Sequence, residues 1–284
     1  MKLSIITINY NNAAGLKKTL DSVAVQTYTD FEHIIVDGAS TDGSVEEIIT
    51  YNQSPIANRH KITWISEPDT GIYNAMNKGV RMANGEYTLM LNSGDYLVDE
   101  FVVEKIIPLL DGTDIIQGNT IEDHPNKVVR NRGYGRSDIT FLDVMEGHFL
   151  HQASFIHVKT LKKYGYYDEA YKKGADTYFY ITALALGNAT FRYVDLDIAN
   201  FDINGISSLQ DPKWIQLDME EDMKWYGEHI PNRLMELSHT ARKTIKLYDT
   251  LHRNRFIWYI THMLVRIAER IKPTLPNVKI EKIK

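Results

Sequence analysis

Asp95 closes the tetrapeptide Asn92-Ser93-Gly94-Asp95, which follows directly on the apolar run Tyr87-Thr88-Leu89-Met90-Leu91. That run has the length of a buried strand and is bounded by turn residues. In open α/β sheets ligands gather outside the carboxyl ends of the strands, so a carboxylate and an amide at this tip are placed to meet one. Just upstream, Ile72 to Arg81 has helical periodicity. Ile72, Ala75, Met76, Gly79 and Val80 recur at core spacing, and Asn74, Asn77, Lys78 and Arg81 share the other side. A partly basic helix face beside an Asp-tipped strand suits an anionic ligand together with a cation. Asp37 ends a second apolar run, Phe31 to Val36, in the equivalent position. Such aspartates can also be turn residues, and Asp42 or Ser44 reads better as the cap of the next helix than as a ligand.

These residues need a scaffold. Leu3 to Ile8 is a nearly continuous apolar run, as expected of a central parallel strand, and it ends in the polar loop Asn9-Tyr10-Asn11-Asn12. A helix with Leu16, Leu20 and Val23 on its core side follows, then strand 31–36, helix 45–51 and strand 62–66. This alternation through Leu91 predicts parallel βαβ units. Further on, the pattern predicts a helix over 99–110, strands over 114–117 and 153–158, a helix from Gly174 to Leu186, and strands over 190–194 and 198–203. Gly118 to Gly147 reads as a long irregular segment, functional or mobile. No G-x-G-x-x-G follows the first strand and no G-x-x-x-x-G-K-[ST] occurs, which makes dinucleotide and P-loop folds poor candidates.

SIITINYNN, VDGASTDGS, EPDTGIYNAMNKGVRMANGEY and LNSGD, in this order and spacing, resemble the family-2 inverting glycosyltransferases of the GT-A fold, in particular bacterial enzymes of exopolysaccharide and O-antigen synthesis. The resemblance covers about Met1 to Ser207. It implies an α/β GT-A domain over 1–210, with a Rossmann-like, mostly parallel sheet flanked by helices, and a helical C-terminal extension over 211–284. It implies a nucleotide-diphosphate sugar donor, a divalent Mg²⁺ or Mn²⁺, and a saccharide or lipid-linked acceptor in cell-surface polysaccharide synthesis. The donor-binding residues it implies are Ile8, Tyr10, Asp37, Asp69, Asn74, Lys78, Asn92, Ser93, Gly94 and His151. Asp37 would accept from the nucleobase, with the base stacked on Tyr10. Asp95 would hold the metal, although the family's two or three aspartates are here reduced to Asn92-Ser93-Gly94-Asp95. Asp176 matches the general base; before the apolar helix it is also a good N-cap. Asn204 to Ser208 resembles the segment that closes over the donor diphosphate. The thinned acidic motif keeps one alternative open, a non-catalytic nucleotide-sugar-binding protein.

Charge divides the chain. From Arg233 onward 12 Lys and Arg stand against 4 Asp and Glu, whereas the whole chain has a net charge of −5. A basic tail on an acidic body points to an anionic partner for the tail. Phe256 to Ile271 carries an apolar stripe (Ile257, Ile260, Leu264, Ile267, Ile271) rimmed by arginines, which suits peripheral contact with a membrane through 253–272 or packing in a homodimer. No nucleic-acid motif is present. The start of the chain reads as a first strand and no apolar run reaches the ~20 residues of a bilayer span. The expectation is a cytoplasmic protein, at the inner face of the membrane if the tail docks there.

Overall fold

The computed structural model describes residues 1–203, 205, 211–232, 234–236, 240 and 243. The chain divides into two compact units, Met1–Trp225 and Tyr226–Lys284. The candidate membrane helix 253–272 and the closing segment Asn204–Ser208, apart from Gly205, lie outside the described residues. Among the described residues no helix is long and apolar enough to cross a membrane.

In the first unit the described strands form one sheet. Strands β1 (Leu3–Asn9), β2 (Glu32–Asp37), β3 (Lys61–Ser66) and β4 (Tyr87–Met90) lie in the order β3-β2-β1-β4 and are all parallel. The other half adds β5 (Tyr96–Leu97), β6 (Ile115–His124), β7 (Lys127–Asn131), β8 (Ser154–His157) and β9 (Phe191–Phe201). There β8 is antiparallel to β4 and β6, β9 is parallel to β6, and β5 is antiparallel to β9. The described strands thus form a parallel half joined to a mixed half, as expected of the GT-A fold.

Every residue of β1 and β2 is buried, the polar ones (Ser4, Thr7, Glu32 and His33 among them) with hydrogen-bond partners, which is why both read as largely apolar runs. Helix α1 (Ala13–Ala24) seats Leu16, Leu20 and Ala24 against Ile35 of β2 and Ile48 of α2 (Ser44–Gln53). Helix α3 (Ile72–Met82) crosses β1 and β2, and a Cβ on Gly79 would overlap Ile6, so glycine there sets the close approach. Its buried side is Tyr73, Ala75, Met76, Asn77, Gly79 and Val80; Ile72, expected in the core, is 36% exposed. The helix is rotated because Asn77 is satisfied inside, exchanging bonds with the Tyr167 backbone and donating to Glu169.

The second half departs further from the pattern. The segment 118–147 is largely structured: β6 runs on to His124, β7 returns antiparallel to it, and α5 (Phe141–Glu146) starts in a Thr140–Asp143 capping box. Its hairpin lacks an apolar alternation because cross-strand ion pairs hold it, Arg130 to Asp195 and Asp197, and Arg132 to Asp195. Those aspartates also split the sequence pattern of what is one strand, β9. The helix expected over 99–110 shortens to α4 (Val102–Ile106) and a 3₁₀ turn over Ile107–Leu109, where Pro108 lacks an N–H. Helix α6 (Val158–Tyr164) follows β8, and α7 (Ala175–Tyr180) continues as a π-helical turn, Ile181–Leu186. Helix α8 (Pro212–His229) begins in this unit, with Trp225 stacked on Tyr178 and Asp222 accepting from the Tyr178 hydroxyl.

Beneath the parallel half runs a buried polar chain, Thr7 Oγ1 to His33 Nε2 (2.9 Å), His33 Nδ1 to Tyr51 Oη (2.8 Å) and Tyr51 Oη to His60 Nε2 (2.9 Å). Burial pushes both imidazoles down, His33 well below its ordinary value and His60 to about 4. The unfolded chain takes up these protons near pH 6.5. The folded one takes up that of His60 only at about 4 and resists protonation of His33 well below its ordinary value, so stability is expected to fall as pH drops below 6.5. Each histidine contributes up to about 1.4 kcal/mol per pH unit. Chemical denaturation from pH 7 to pH 4 checks this. His60→Phe, which keeps the ring stacked on Phe31, should flatten the slope.

Candidate active site

The four parallel strands deliver their carboxyl ends to one edge, and the chain folds back there to make a site. After β4, Ser93 N–H donates to the Ile8 carbonyl (3.1 Å) and Asn12 Nδ2 donates to the Ser93 carbonyl (3.2 Å). Thr19 of α1, fully buried, accepts from Gly94 N–H (3.0 Å) and donates to the Asp95 carbonyl (2.6 Å). Ile8, Ser93 and Gly94 therefore build the tip through their backbones, and the Ile8 side chain is buried. Gly94 has φ +108, a left-handed conformation that favours glycine.

Asp95 is 4% exposed, and burial pushes its carboxyl up to about 6 despite the His151 imidazole nearby. One of its oxygens accepts from the Asp202 N–H (2.9 Å), just beyond β9. His151, in the 3₁₀ turn before β8, joins this tip to the other half of the site. Its Nε2 lies 3.3 Å from Asn92 Nδ2 and its Nδ1 lies 3.1 Å from Asp176 Oδ2. Tyr73 Oη donates to Asp176 Oδ1 (3.1 Å). As oriented, the Asn92 amide donates to Nε2, which makes the neutral imidazole the Nδ1–H tautomer, donating to Asp176.

Asp176 does not cap α7, because Gly174 is the N-cap and Asp176 lies two positions inside. Burial raises its pKa, but the bonds from His151 and Tyr73, with the Thr177 N–H, more than offset it and hold it below the ordinary carboxylate range. Its side chain is still 22% exposed, so a hydroxyl can reach it. For His151 burial works downward, while Asp176 and Asp95 raise its pKa above the ordinary value.

The remaining candidates are drawn inward. Asp37 is fully buried, with Oδ1 accepting from Asn9 Nδ2 (2.8 Å) and Ser40 Oγ (2.6 Å), and Oδ2 from Ser40 N–H (2.9 Å) and Ser66 Oγ (2.7 Å). Burial raises its pKa and these bonds more than compensate, so it stays an anion. Tyr10, 69% exposed, and Asp69 flank Gly38, each 3.0 Å from where a Cβ would stand. Lys78 is neutralised by Asp69 (2.7 Å) and Glu67 (2.9 Å), and Asn74 donates to Glu169 (2.7 Å). The polar face of α3 thus serves internal bonds in large part. Gly43 holds the N-cap position of α2, and Asp42 just before it accepts from the N–H and hydroxyl of Ser44, the first residue of that helix, and from Ala13 N–H at the start of α1.

A family model, Glycosyl transferase family 2, matches residues 4–188. The chain belongs to this family. It is 30% identical over 233 residues to an uncharacterized glycosyltransferase of Mycobacterium tuberculosis (strain CDC 1551 / Oshkosh), covering 76% of this chain and 81% of that one. It is 30% identical over 211 residues to a PGL/p-HBAD biosynthesis glycosyltransferase of Mycobacterium bovis (strain BCG / Pasteur 1173P2), covering 72% and 78%. Among solved structures, S. aureus TarS 1-349 in complex with UDP-GlcNAc matches with a TM-score of 0.62 at 21% identity, over 76% of this chain and 64% of that one. The mannosyltransferase PcManGT from Pyrobaculum calidifontis, in complex with GDP-Man and Mn²⁺, matches with a TM-score of 0.61 at 16% identity, over 84% and 68%. At these identities the two structures bear on the fold alone. Two further residues of this glycosyltransferase join the cluster at the site without having been expected there, Tyr73, which donates to Asp176, and Asp202, whose N–H donates to Asp95. Asp202 is hidden in the sequence because the apolar pattern carries the last strand on to residue 203, whereas β9 ends at Phe201.

Proposed function

We propose that this family-2 glycosyltransferase moves a sugar, with inversion, from a nucleotide-diphosphate donor to a saccharide or lipid-linked acceptor of the cell surface, with Asp176 as general base. One observation carries the reading: a single imidazole, His151, bonds the Asp176 carboxylate on one side and the Asn92–Asp95 tip on the other. The proposed base and the proposed donor tip are therefore one imidazole apart. The two solved structures of the same fold are complexes with UDP-GlcNAc and GDP-Man, which supports a nucleotide sugar as the donor.

Inverting transfer is one displacement. The acceptor oxygen attacks the anomeric carbon, the bond to the diphosphate breaks on the opposite face, and the acceptor proton passes to a carboxylate within hydrogen-bond reach. Asp176 suits this task because it is ionised, held rigid on both oxygens and still accessible. The tip offers oxygen donors of the kind hard cations take, the Asp95 carboxylate and the Asn92 amide, whose Oδ1 is buried without a hydrogen-bond partner. Mg²⁺ or Mn²⁺ bound there would neutralise the charge developing on the leaving diphosphate. A panel of nucleotide sugars identifies the donor, and NMR of the product tests the stereochemistry. An α-linked donor should give a β-linked product; retention of the donor configuration would refute the reading.

A further inference from the structure

We propose that helix α8 positions the general base: Glu221 and Asp222 hold the chain on either side of Asp176 and so set how far its carboxylate reaches toward the acceptor hydroxyl. The inference rests on the reading of Asp176 as the base. It gives a role to residues past the family-matched region, which ends at residue 188.

A surface helix ordinarily turns its apolar stripe to the core, and α8 does the reverse. Ile215, Met219 and Met223 are exposed, while Asp218, Glu221, Asp222 and Trp225, at three- and four-residue spacing, share the side turned to the protein. Each of these acids has its partner in the short stretch that carries Asp176. Glu221 accepts from the Lys172 N–H with both oxygens (3.0 and 3.1 Å) and from the Lys173 N–H (2.8 Å). Asp218 accepts from Lys173 Nζ (2.9 Å). Asp222 accepts from Tyr178 Oη (2.8 Å), whose ring stacks on Trp225 at 4.7 Å. Asp176 is thus bracketed between Lys172 and Tyr178. It needs the bracket, because it sits in the first turn of α7 and helix ends fray. Gly174, at the N-cap with φ +71, supplies no side-chain cap. A Cβ on residue 174 would stand 2.9 Å from the Tyr178 ring, so the turn next to the Glu221 bonds lies directly on the ring that Asp222 holds. His151 and Tyr73 orient the Asp176 carboxylate, and α8 fixes the backbone beneath it. A general base must come within about 2.6–3.2 Å of its proton's oxygen, and a misplacement of about 1 Å can cost ~10²-fold in rate.

Hydrogen exchange of the full-length protein reads the bracket without any substrate. The peptide spanning 171–180 should exchange at least tenfold faster in Glu221→Ala. Glu221→Gln should stay near the parent rate, since one amide oxygen in the place of Oε2 can take both N–H bonds. Release of UDP from UDP-GlcNAc, or of GDP from GDP-Man, with water as the acceptor reads the chemistry. There kcat should fall at least tenfold in Glu221→Ala, while KM for the donor and the calorimetric affinity and stoichiometry for UDP or GDP stay within about twofold. Glu221→Gln should recover most of the rate. Tyr178→Phe, which drops the Asp222 bond and keeps the ring on Trp225, should show the same split to a smaller degree. In an Asp176→Asn background Glu221→Ala should cost less than about twofold more, because it acts through the base it positions. Exchange at the parent rate in Glu221→Ala, no recovery in Glu221→Gln, or a full second loss in the double variant overturns the proposal. Parent turnover in Glu221→Ala beside a slow Asp176→Asn overturns the positioning role alone, whereas parent turnover in Asp176→Asn removes the base and this proposal with it.

Discussion

Asp176→Asn is expected to lower turnover by ~10²–10⁴-fold, the usual cost of removing a general base, with donor affinity and melting temperature close to those of the parent. The substitution is nearly isosteric. Its amide oxygen can still accept from Tyr73 or His151, so the pocket keeps its shape while the basic lone pairs are lost. Removing the side chain outright would confuse two effects, because Tyr73 Oη and His151 Nδ1 would lose their shared partner. Single-turnover transfer with saturating donor separates chemistry from binding, and calorimetric titration of the nucleoside diphosphate gives affinity independently. Near-parent rates would move the base elsewhere. Glu169 is then a poor replacement, because Asn74, Asn77 and Arg81 already bind its carboxylate.

The parallel half was legible because its signals are local. β1 and β2 are covered on both faces, so burial writes itself as apolar runs, and each strand end carries its polar tip within a few residues. The antiparallel half was less legible for the opposite reason. β7 is exposed, with Val128 68% accessible, and is held to β6 by backbone pairing and to β9 by arginine–aspartate pairs whose partners are more than sixty positions apart. No periodicity encodes such pairs. The same holds at the site. Asp176 and His151 could be picked out one at a time from a resemblance, but their 3.1 Å contact depends on β8 and α7 meeting. Lys78 shows the converse, a residue whose type suits an anionic ligand and whose charge the fold spends on Glu67 and Asp69.

Asp37→Ala is expected to destabilise the protein by about 3–5 kcal/mol, the scale of breaking a buried, fully partnered charge. Asp37 binds four donors, and all of them belong to the loop and strand ends at the carboxyl edge of the parallel strands. Without the carboxylate, the Ser40 amide and the Ser40 and Ser66 hydroxyls lose their acceptor, and Asn9 Nδ2 keeps only Ser40 Oγ (3.2 Å). Asp37→Asn should cost less but not nothing, because its Nδ2 would turn one donor against another. A nucleobase ligand would respond differently. Its removal would weaken nucleotide binding while leaving stability within about 1 kcal/mol, as for most substitutions that break no buried network. Urea denaturation of Asp37→Ala, paired with nucleotide titration at a temperature where the variant remains folded, separates the two roles. A midpoint near that of the parent with nucleotide affinity lost would make Asp37 a ligand. A large fall in the midpoint would make it the anchor that holds Ser40 and Asn9 beneath Tyr10, leaving contact with the base to the residues around Gly38.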